Sequence, residues 1–279
     1  MSVSSVRVGN VEIVALVDCQ LSAPTRAFFP DLTPEDWQPY GEYMNPDGKS
    51  FMLTVTSFLV RSGGKTILID TGIGNWDRPY FPPGQLPERL RELGVSTGDI
   101  DVVLATHIHV DHVGWHTRLE GETPVPMFPS STYIFARQEW DFFTSPQESA
   151  GDERRYVREC VVPLGDSADV QLIDGEHALT DELTLLPTPG HTPAHTSIAI
   201  MSAGETAVII GDVCHHPAQV VETEWSPIAD MNPALSAQSR ASLIQRIEEE
   251  RALMIAGHFP APGFGRLVRV DGKRSWRAL

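Results

Sequence analysis

The chain has 279 residues, of which 41% are hydrophobic and 21% are charged, a composition typical of one large globular domain or at most two small ones, and we expect a single domain over residues 1–279. Its formal net charge of −16 disfavours a nucleic-acid partner, because Lys and Arg provide the attraction for a phosphate backbone. The sequence shows no signal peptide and no apolar run of ~18 residues, and its three cysteines lie far apart, so we expect no membrane partner and a cytoplasmic location.

The first part of the chain predicts antiparallel β structure. Residues 11–18 (VEIVALVD) form one predicted strand, and residues 52–70 form two strands joined at residues 62–65, where glycines relax the turn. Leucines at helical spacing in residues 86–94 predict a helix that stops at Gly94. The apolar run of residues 100–107 then predicts a buried strand.

The remainder of the chain alternates strands with helices. Predicted strands cover residues 132–136, 170–174, 183–187, 196–201, 206–211 and 252–258, and predicted helices cover residues 137–143, 152–160 and 233–250. Strands in blocks with helices between them indicate a layered α/β sandwich.

Between residues 19 and 50 the periodic pattern disappears, and five prolines alternate with aromatic residues. We predict a long, ordered N-terminal loop there. The aromatic residues either line a binding pocket or an oligomer contact, such as that of a homodimer, or pack as a small satellite core. They are Phe28, Phe29, Trp37, Tyr40 and Tyr43.

The segment THIHVDHVGWH (106–116) contains four of the ten histidines. His107 and His109 follow a predicted strand at positions i and i+2, so their side chains can meet one ion. Asp111 and His112 lie on the next turn, before a helix predicted at about Val113, and can face a second ion. Imidazole and carboxylate suit Zn²⁺, and the lack of a nearby thiolate favours a catalytic over a structural metal.

The motif H-x-H-x-D-H in this segment resembles that of the metallo-β-lactamase superfamily. Three further matches follow in the family's order: His191 in PTPGHTPAH, Asp212 in IIGDVCHH and His258 in IAGHFP. The resemblance covers roughly residues 52–260 and implies an α/β fold, the αββα four-layer sandwich. It also implies two divalent metal ions per chain, expected to be zinc, with His107, His109 and His191 on one, Asp111, His112 and His258 on the other, and Asp212 bridging them.

The implied ions predict the chemistry. Two dications ~3.5 Å apart lower the pKa of a bridging water, so that hydroxide becomes the nucleophile, and they accept the developing oxyanion. We therefore predict a dinuclear metal-dependent hydrolase of small lactones or esters, with phosphotriesters as a further substrate class. Together with the N-terminal loop, Trp76, Tyr80, Phe81 and Trp115 are expected to form aromatic walls near the metals that favour neutral, partly apolar substrates. Asp111 is in addition a candidate catalytic residue that orients the nucleophile and passes a proton to the leaving oxygen.

The region after Asp212 departs from one branch of the superfamily. Quorum-quenching lactonases typically carry tyrosine three residues after the bridging aspartate, whereas this chain has His215 there, and GDVCHHPAQV is more similar to the methyl parathion hydrolase branch. His215 is either a hydrogen-bond donor to substrate, and so catalytic, or a structural histidine. We expect His116 to pack or to support a ligand, His195 to support the site, His177 to lie at the surface and Cys214 to be a buried thiol.

Two other functions stay open at this point. A glyoxalase II-like thioesterase shares the ligand set but carries a basic C-terminal helical region, and only about twenty residues follow His258 here. A non-catalytic metal-binding sensor of the same fold would keep the ligands and lack turnover. A persulfide dioxygenase, a nuclease and a β-lactamase are disfavoured by the complete ligand set, the negative charge and the expected location, respectively.

Overall fold

The computed structural model describes residues 4–76 and 81–279, and within them two large β-sheets face each other. The first sheet has the strand order β1 (Ser4–Val8), β2 (Val11–Pro24), β3 (Ser50–Ser62), β4 (Lys65–Ile69), β5 (Val102–Leu104), β8 (Thr132–Ala136) and β9 (Asp169–Ile173). The second has the order β10 (His177–Ala178), β11 (Leu183–Pro187), β12 (Thr196–Ser202), β13 (Glu205–Ile209), β14 (Leu253–Ile255), β15 (Phe264–Val270) and β16 (Lys273–Ala278). Strands β6 (Thr117–Glu120) and β7 (Thr123–Pro126) form a separate hairpin.

The helices are mostly short. They are α1 (Thr25–Phe28), α2 (Leu86–Glu92), α3 (Arg137–Thr144), α4 (Pro146–Ser149), α5 (Arg155–Cys160), α6 (Leu164–Ser167) and α7 (Pro233–Glu249). Turns of 3₁₀ helix occur at Gln38–Tyr43, Thr97–Asp99, Asp152–Arg154, Gly211–Val213 and Pro217–Val220. Among the described residues, no helix combines the length and apolar character that crossing a bilayer requires.

The core lies in three layers that follow from the alternation of side chains along each strand. Residues such as Ile67 of β4 and Ile209 of β13 meet between the two sheets. On the outer face of the first sheet, Leu68 packs with α2 and α5, and on the outer face of the second, Met254 packs with α7. This arrangement confirms the predicted αββα sandwich.

Parallel pairing brings the site-bearing loops to one place. Strands β4 and β5 run parallel, as do β13 and β14, so their carboxyl ends lie at the same edges of the sheets. The loops that leave these ends carry Asp70, the segment 105–112, Asp212 and His258. The fold thus gathers residues from four separate stretches of sequence.

Two local predictions were wrong. The loop predicted over residues 19–50 begins only after Pro24, because a bulge at Asp18 lets β2 continue its pairing with β3. The helix predicted at about Val113 is a series of turns. There the Gly114 N–H donates to the carbonyl of Gly72 and the His112 carbonyl accepts from Thr71, so these groups pair with a neighbouring loop instead of within a helix.

Phe29 and Trp37 of the predicted loop pack in a satellite core, one of the two predicted alternatives, whereas Phe28 lines a cavity, the other alternative. Phe29, Trp37 and Phe51 are buried together, and the ring of His216 packs edge-on against Trp37 at 5.1 Å and Phe51 at 4.9 Å between centroids. We refer to these four residues as the aromatic cluster. The His216 Nδ1 accepts a hydrogen bond from Ala218 N at 3.1 Å, and burial lowers the pKa of His216 to about 3.

The cysteines fit the prediction of separate thiols. Cys19, Cys160 and Cys214 are buried in three different parts of the core, and the described residues contain no disulfide. The single-domain organisation, the cytoplasmic location and the homodimer stay predictions.

The lowered pKa of His216 predicts a pH-dependent stability. The folded state favours the neutral ring, so this contribution is complete above the unfolded pKa of ~6.5 and is lost as the pH falls from there towards 3. The loss is at most about 1.4 kcal/mol per pH unit. His216→Asn keeps an acceptor for Ala218 N and removes the titrating ring, so its free energy of unfolding, measured with urea between pH 7 and 4.5, should depend less steeply on pH. An unchanged slope would contradict this expectation, and His177→Asn at a strand end is the matched control.

Candidate metal centre

Eight side chains with ligand chemistry converge at the shared edge of the sheets. The ligand atoms of His107, His109, His191 and Asp212 lie within 4.8 Å of one another, as do those of Asp111, His112 and His258. The structure thus brings together all seven residues that the sequence predicts as metal ligands. His215 joins the same region and forms a third group with Asp212 and His258.

The Asp212 carboxylate lies between the two groups. Its Oδ2 is 3.2 Å from His191 Nε2 and 3.6 Å from His107 Nε2, whereas its Oδ1 is 3.2 Å from His112 Nε2. The His258 Nε2 is 3.2 Å from both oxygens. One oxygen of Asp212 therefore faces each group, which is the arrangement that a bridging carboxylate needs.

Buried atoms at the centre show that these residues fit metal ions. Within the described ranges, His107 Nε2, His112 Nε2 and Asp212 Oδ1 are buried and make no hydrogen bond. His112 Nε2 and Asp212 Oδ1 lie 3.2 Å apart and still lack hydrogen-bond geometry. Buried polar atoms are nearly always paired, and imidazole nitrogens and carboxylate oxygens are the ligands that divalent zinc prefers.

Hydrogen bonds on the far side of the rings fix their orientation. The His112 Nδ1 lies 2.8 Å from Asp70 Oδ2, and Asp70 Oδ1 accepts from the backbone of Thr106 at 2.7 Å. The His258 Nδ1 lies 2.7 Å from the Thr54 carbonyl, which can only accept, so this nitrogen carries a proton and Nε2 is the nitrogen left to face an ion. Such partners hold metal-binding histidines in one tautomer.

His191 is held by a buried ion pair. Its Nδ1 lies 2.9 Å from Asp230 Oδ1, and Asp230 Oδ2 accepts from the guanidinium of Arg240 at 3.1 Å. Burial opposes the charged form of His191, but the contacts with Asp212 and Asp230 prevail and raise its pKa to about 9. A divalent cation among the same carboxylates would take the place of that proton.

Two further buried acids hold the loops themselves. Glu139 of α3 accepts from Ile108 N at 3.0 Å and from Ala194 N at 2.9 Å, and so joins the loop of His109 to the loop of His191. Burial raises the pKa of Glu139, against the opposing effect of these backbone hydrogen bonds. Asp18 accepts from Ile73 N and Leu86 N, both at 2.7 Å.

The other histidines and Cys214 lie as the sequence suggests. His195 supports the centre, since its Nε2 accepts a hydrogen bond from Asp212 N at 2.9 Å. The buried ring of His116 packs beside Tyr133 and Phe135 instead of contacting a ligand residue. His177 lies at a partly exposed strand end, and burial raises the pKa of the Cys214 thiol to about 12.

A cavity of about 250 Å³ opens onto the centre. Its polar lining residues are His109, Asp111, His191, Asp212, His215 and His258, and its apolar and aromatic lining residues are Phe28, Leu53, Phe81, Val110, Tyr156 and Ala229. The predicted aromatic wall is thus only partly correct: Trp115 is buried away from the cavity, because its indole N–H donates to Asp18 Oδ1 at 3.0 Å, and Trp76 donates to the Gly114 carbonyl. Tyr80 lies outside the described residues.

His215 contacts both polar and apolar lining residues of the cavity. Its Nε2 lies 3.0 Å from Asp212 Oδ2, and its ring stacks on His258 with a centroid distance of 5.2 Å. Burial lowers the pKa of His215 to about 4, so the ring is neutral at pH 7. Phe28 contacts the same ring edge-on at 5.4 Å between centroids.

The fold and this cluster define a class of protein. Residues 52–258 match the model of the metallo-beta-lactamase superfamily, and the chain belongs to that superfamily. The predicted family and the predicted class of metal-dependent hydrolase are thereby confirmed.

Within the superfamily, the chain is similar in sequence to N-acyl homoserine lactonases. The N-acyl homoserine lactonase AiiA of Bacillus thuringiensis subsp. kurstaki is 24% identical over 228 residues, which cover 76% of this chain and 83% of AiiA. The N-acyl homoserine lactonase AttM of Rhizobium radiobacter is 22% identical over 236 residues, covering 77% of this chain and 85% of AttM.

Solved structures share the fold over nearly the whole chain. The hydrolase AbOPH of the beta lactamase superfamily has a TM-score of 0.85 at 24% identity and covers 99% of this chain and 97% of its own. AidC, a dizinc quorum-quenching lactonase, has a TM-score of 0.83 at 21% identity, with coverage of 100% and 97%.

Proposed function

We propose that this protein is a dinuclear metal-dependent hydrolase of lactones and esters. The observation that carries the proposal is the Asp212 carboxylate, which presents one oxygen to each of two groups of candidate ligands. The similarity to lactonases over about three quarters of the chain supports the same conclusion.

Seven residues would hold the metals, with zinc as the expected ion. His107, His109 and His191 would hold one ion, Asp111, His112 and His258 the other, and Asp212 would contact both. When bound, the pair of ions supplies a water of lowered pKa as nucleophile and a Lewis acid for the substrate carbonyl oxygen.

Asp111 is the proposed proton carrier. Its side chain is 14% exposed and lines the cavity, whereas Asp212 is buried between the histidines. Asp111 Oδ2 lies 3.6 Å from His258 Nε2, which places the carboxylate beside the second group. From this position it can accept a proton from the attacking water and deliver it to the leaving oxygen.

His215 is the proposed substrate donor. Its Nδ1 is fully buried, which leaves Nε2 as the ring nitrogen that can meet a substrate in the cavity. The carboxylate of Asp212 beside Nε2 favours the tautomer that carries the proton there. Metal ions held by Asp212 would compete for the oxygen that faces this N–H, and the neutral ring could then donate it to a substrate carbonyl oxygen.

The cavity lining favours neutral, partly apolar substrates. Half of its twelve described lining residues are apolar or aromatic, and none of them is Lys or Arg. A glutathione thioester carries carboxylates that such a lining does not pair, so the thioesterase alternative is disfavoured. N-acyl homoserine lactones, the substrates named for the relatives, combine a neutral ring with an apolar chain and are the first class to test.

A substrate panel tests the proposal. We expect the zinc-reconstituted protein to hydrolyse medium-chain or aromatic lactones fastest, an aryl phosphotriester more slowly, and glutathione thioesters, penicillins and RNA hardly at all. A chelator should abolish the activity and Zn²⁺ should restore it. A thioester or penicillin rate above every lactone and ester would refute the substrate class, and absence of any turnover by the zinc-loaded protein would favour the sensor alternative.

Removal of the shared carboxylate tests the metal centre. Wild-type protein should hold two metal equivalents by elemental analysis, and Asp212→Ala should fall below one equivalent with at least a ~100-fold loss of activity. The reason is that Asp212 faces both groups and offsets the repulsion between two cations. His107→Ala is the matched comparison, because His107 belongs to one group. An Asp212→Ala protein with two equivalents and wild-type activity would rule out the bridging role.

Substitution of His215 separates substrate contact from structure. His215→Phe keeps the ring stacking on His258 and removes the donor, so kcat/KM for a lactone should fall ~10–100-fold while the metal content stays at two. His215→Tyr restores a donor and should recover part of the loss. His216→Asn is the control for a buried histidine next to it. A His215→Phe protein with the kcat/KM of the wild type would show that His215 does not contact the substrate.

A further inference from the structure

Arg240, in the middle of α7, has one of the most deeply buried side chains of the protein. Its side chain has no exposed surface, and it is the only buried Lys or Arg among the residues that the structure describes. Removing a guanidinium from water is unfavourable unless its N–H groups find acceptors. The partners of Arg240 therefore indicate why a cation is placed there.

Two of those partners, Val213 and Asp230, adjoin candidate metal ligands. The Nε donates to the carbonyl of Val213, the residue after Asp212, at 2.6 Å. One terminal nitrogen donates to the Thr223 carbonyl at 2.7 Å, and the other donates to Asp230 Oδ2 at 3.1 Å. That second nitrogen also donates to the hydroxyl of Ser236 at 3.0 Å.

The side-chain contact of Arg240 with Asp230 reaches one of the two ligand groups only. Asp230 holds the ring of His191, which belongs to the group with His107 and His109. In the other group, His112 and His258 are held by Asp70 and Thr54, neither of which contacts Arg240. Arg240 also donates to the carbonyl of Val213, beside the shared Asp212, but the Asp212 backbone has its own hydrogen bond to His195 Nε2, so we expect it to stay in place without Arg240.

We propose that Arg240 is a positioning residue that selectively sets the metal affinity of the His191 group. Through Asp230 it holds the His191 ring with Nε2 towards the centre. The inference rests on the proposed dinuclear function. Partners of metal-binding histidines commonly change metal affinity ~10–100-fold when they are removed.

Arg240→Met tests the proposal, because methionine keeps an unbranched chain and removes every N–H donor. One of the two zinc equivalents should be lost to a graded chelator at ~10–100-fold lower chelator concentration than in the wild type, with the other equivalent unchanged. Arg274→Met is the matched control: Arg274 binds Glu248 of α7 and the Val220 carbonyl and contacts none of the seven proposed ligands. It should release both equivalents as the wild type does.

A second variant guards against misfolding. Arg240→Met leaves the buried Asp230 without its guanidinium partner, so the double variant Asp230→Asn with Arg240→Met removes both charges and still offers an amide oxygen to His191 Nδ1. If the single variant fails to fold, the double variant carries the test, with the same expected loss of one equivalent. Release of both equivalents as in the wild type, or equal weakening of both, would overturn the proposal.

A readout without metal separates this inference from the proposed function. In metal-free protein, the ring N–H proton shared by His191 Nδ1 and Asp230 should give an NMR signal that exchanges slowly with water, and Arg240→Met should speed that exchange. A wild-type protein that fails to bind two ions would refute the dinuclear function while this signal still tests Arg240. Unchanged exchange in Arg240→Met would refute the positioning role whatever the metal content.

Discussion

The structure depends on one buried carboxylate among imidazoles. Burial alone would disfavour a charged Asp212, yet the surrounding histidines, His112 and His258 foremost, hold its pKa well below the usual range. The backbone at this point is equally constrained, because Gly211 has a φ of +55° and a Cβ there would lie 2.4 Å from His195 Nε2. The end of β13 is therefore shaped to place this carboxylate where both ligand groups reach it.

Asp212 is one of several buried acids, and together they leave the interior with an excess of negative charge. Besides Asp212, the chain buries Asp18, Asp70, Glu139 and Asp230, whereas Arg240 is the single buried Lys or Arg in the described part of the chain. Backbone N–H groups satisfy most of these carboxylates, but hydrogen bonds do not remove net charge. Two divalent cations would balance it, so metal binding and folding are expected to stabilise each other.

The site residues that could be predicted from the sequence are those that combine metal-binding side chains with a recognisable local position. Every proposed ligand follows a strand or lies in a short histidine-rich motif, so pattern and chemistry agreed. Asp70 was missed although it also follows an apolar strand, in the segment TILID. The hairpin of β15 and β16 was missed as well, although its turn contains the dipeptide Asp271-Gly272, which is typical of hairpins. Asp230 and Arg240 could not be found in this way, because their contacts span 39 and 27 residues and no local pattern marks them.

The apolar residues that line the cavity were harder to predict from the sequence than the proposed metal ligands, and this difference has a physical cause. Ligands must meet ions at fixed distances, which restricts both residue type and backbone position, whereas any apolar side chain of suitable size can form a wall. Phe28 shows the consequence: it packs edge-on against Phe51 of the aromatic cluster at 5.5 Å and against His215 at 5.4 Å, and its carbonyl accepts from Ile228 N. Substitutions near Phe28 can therefore reshape the cavity beside His215 while leaving the proposed metal ligands in place. Substrate specificity can thus vary independently of the metal-dependent chemistry.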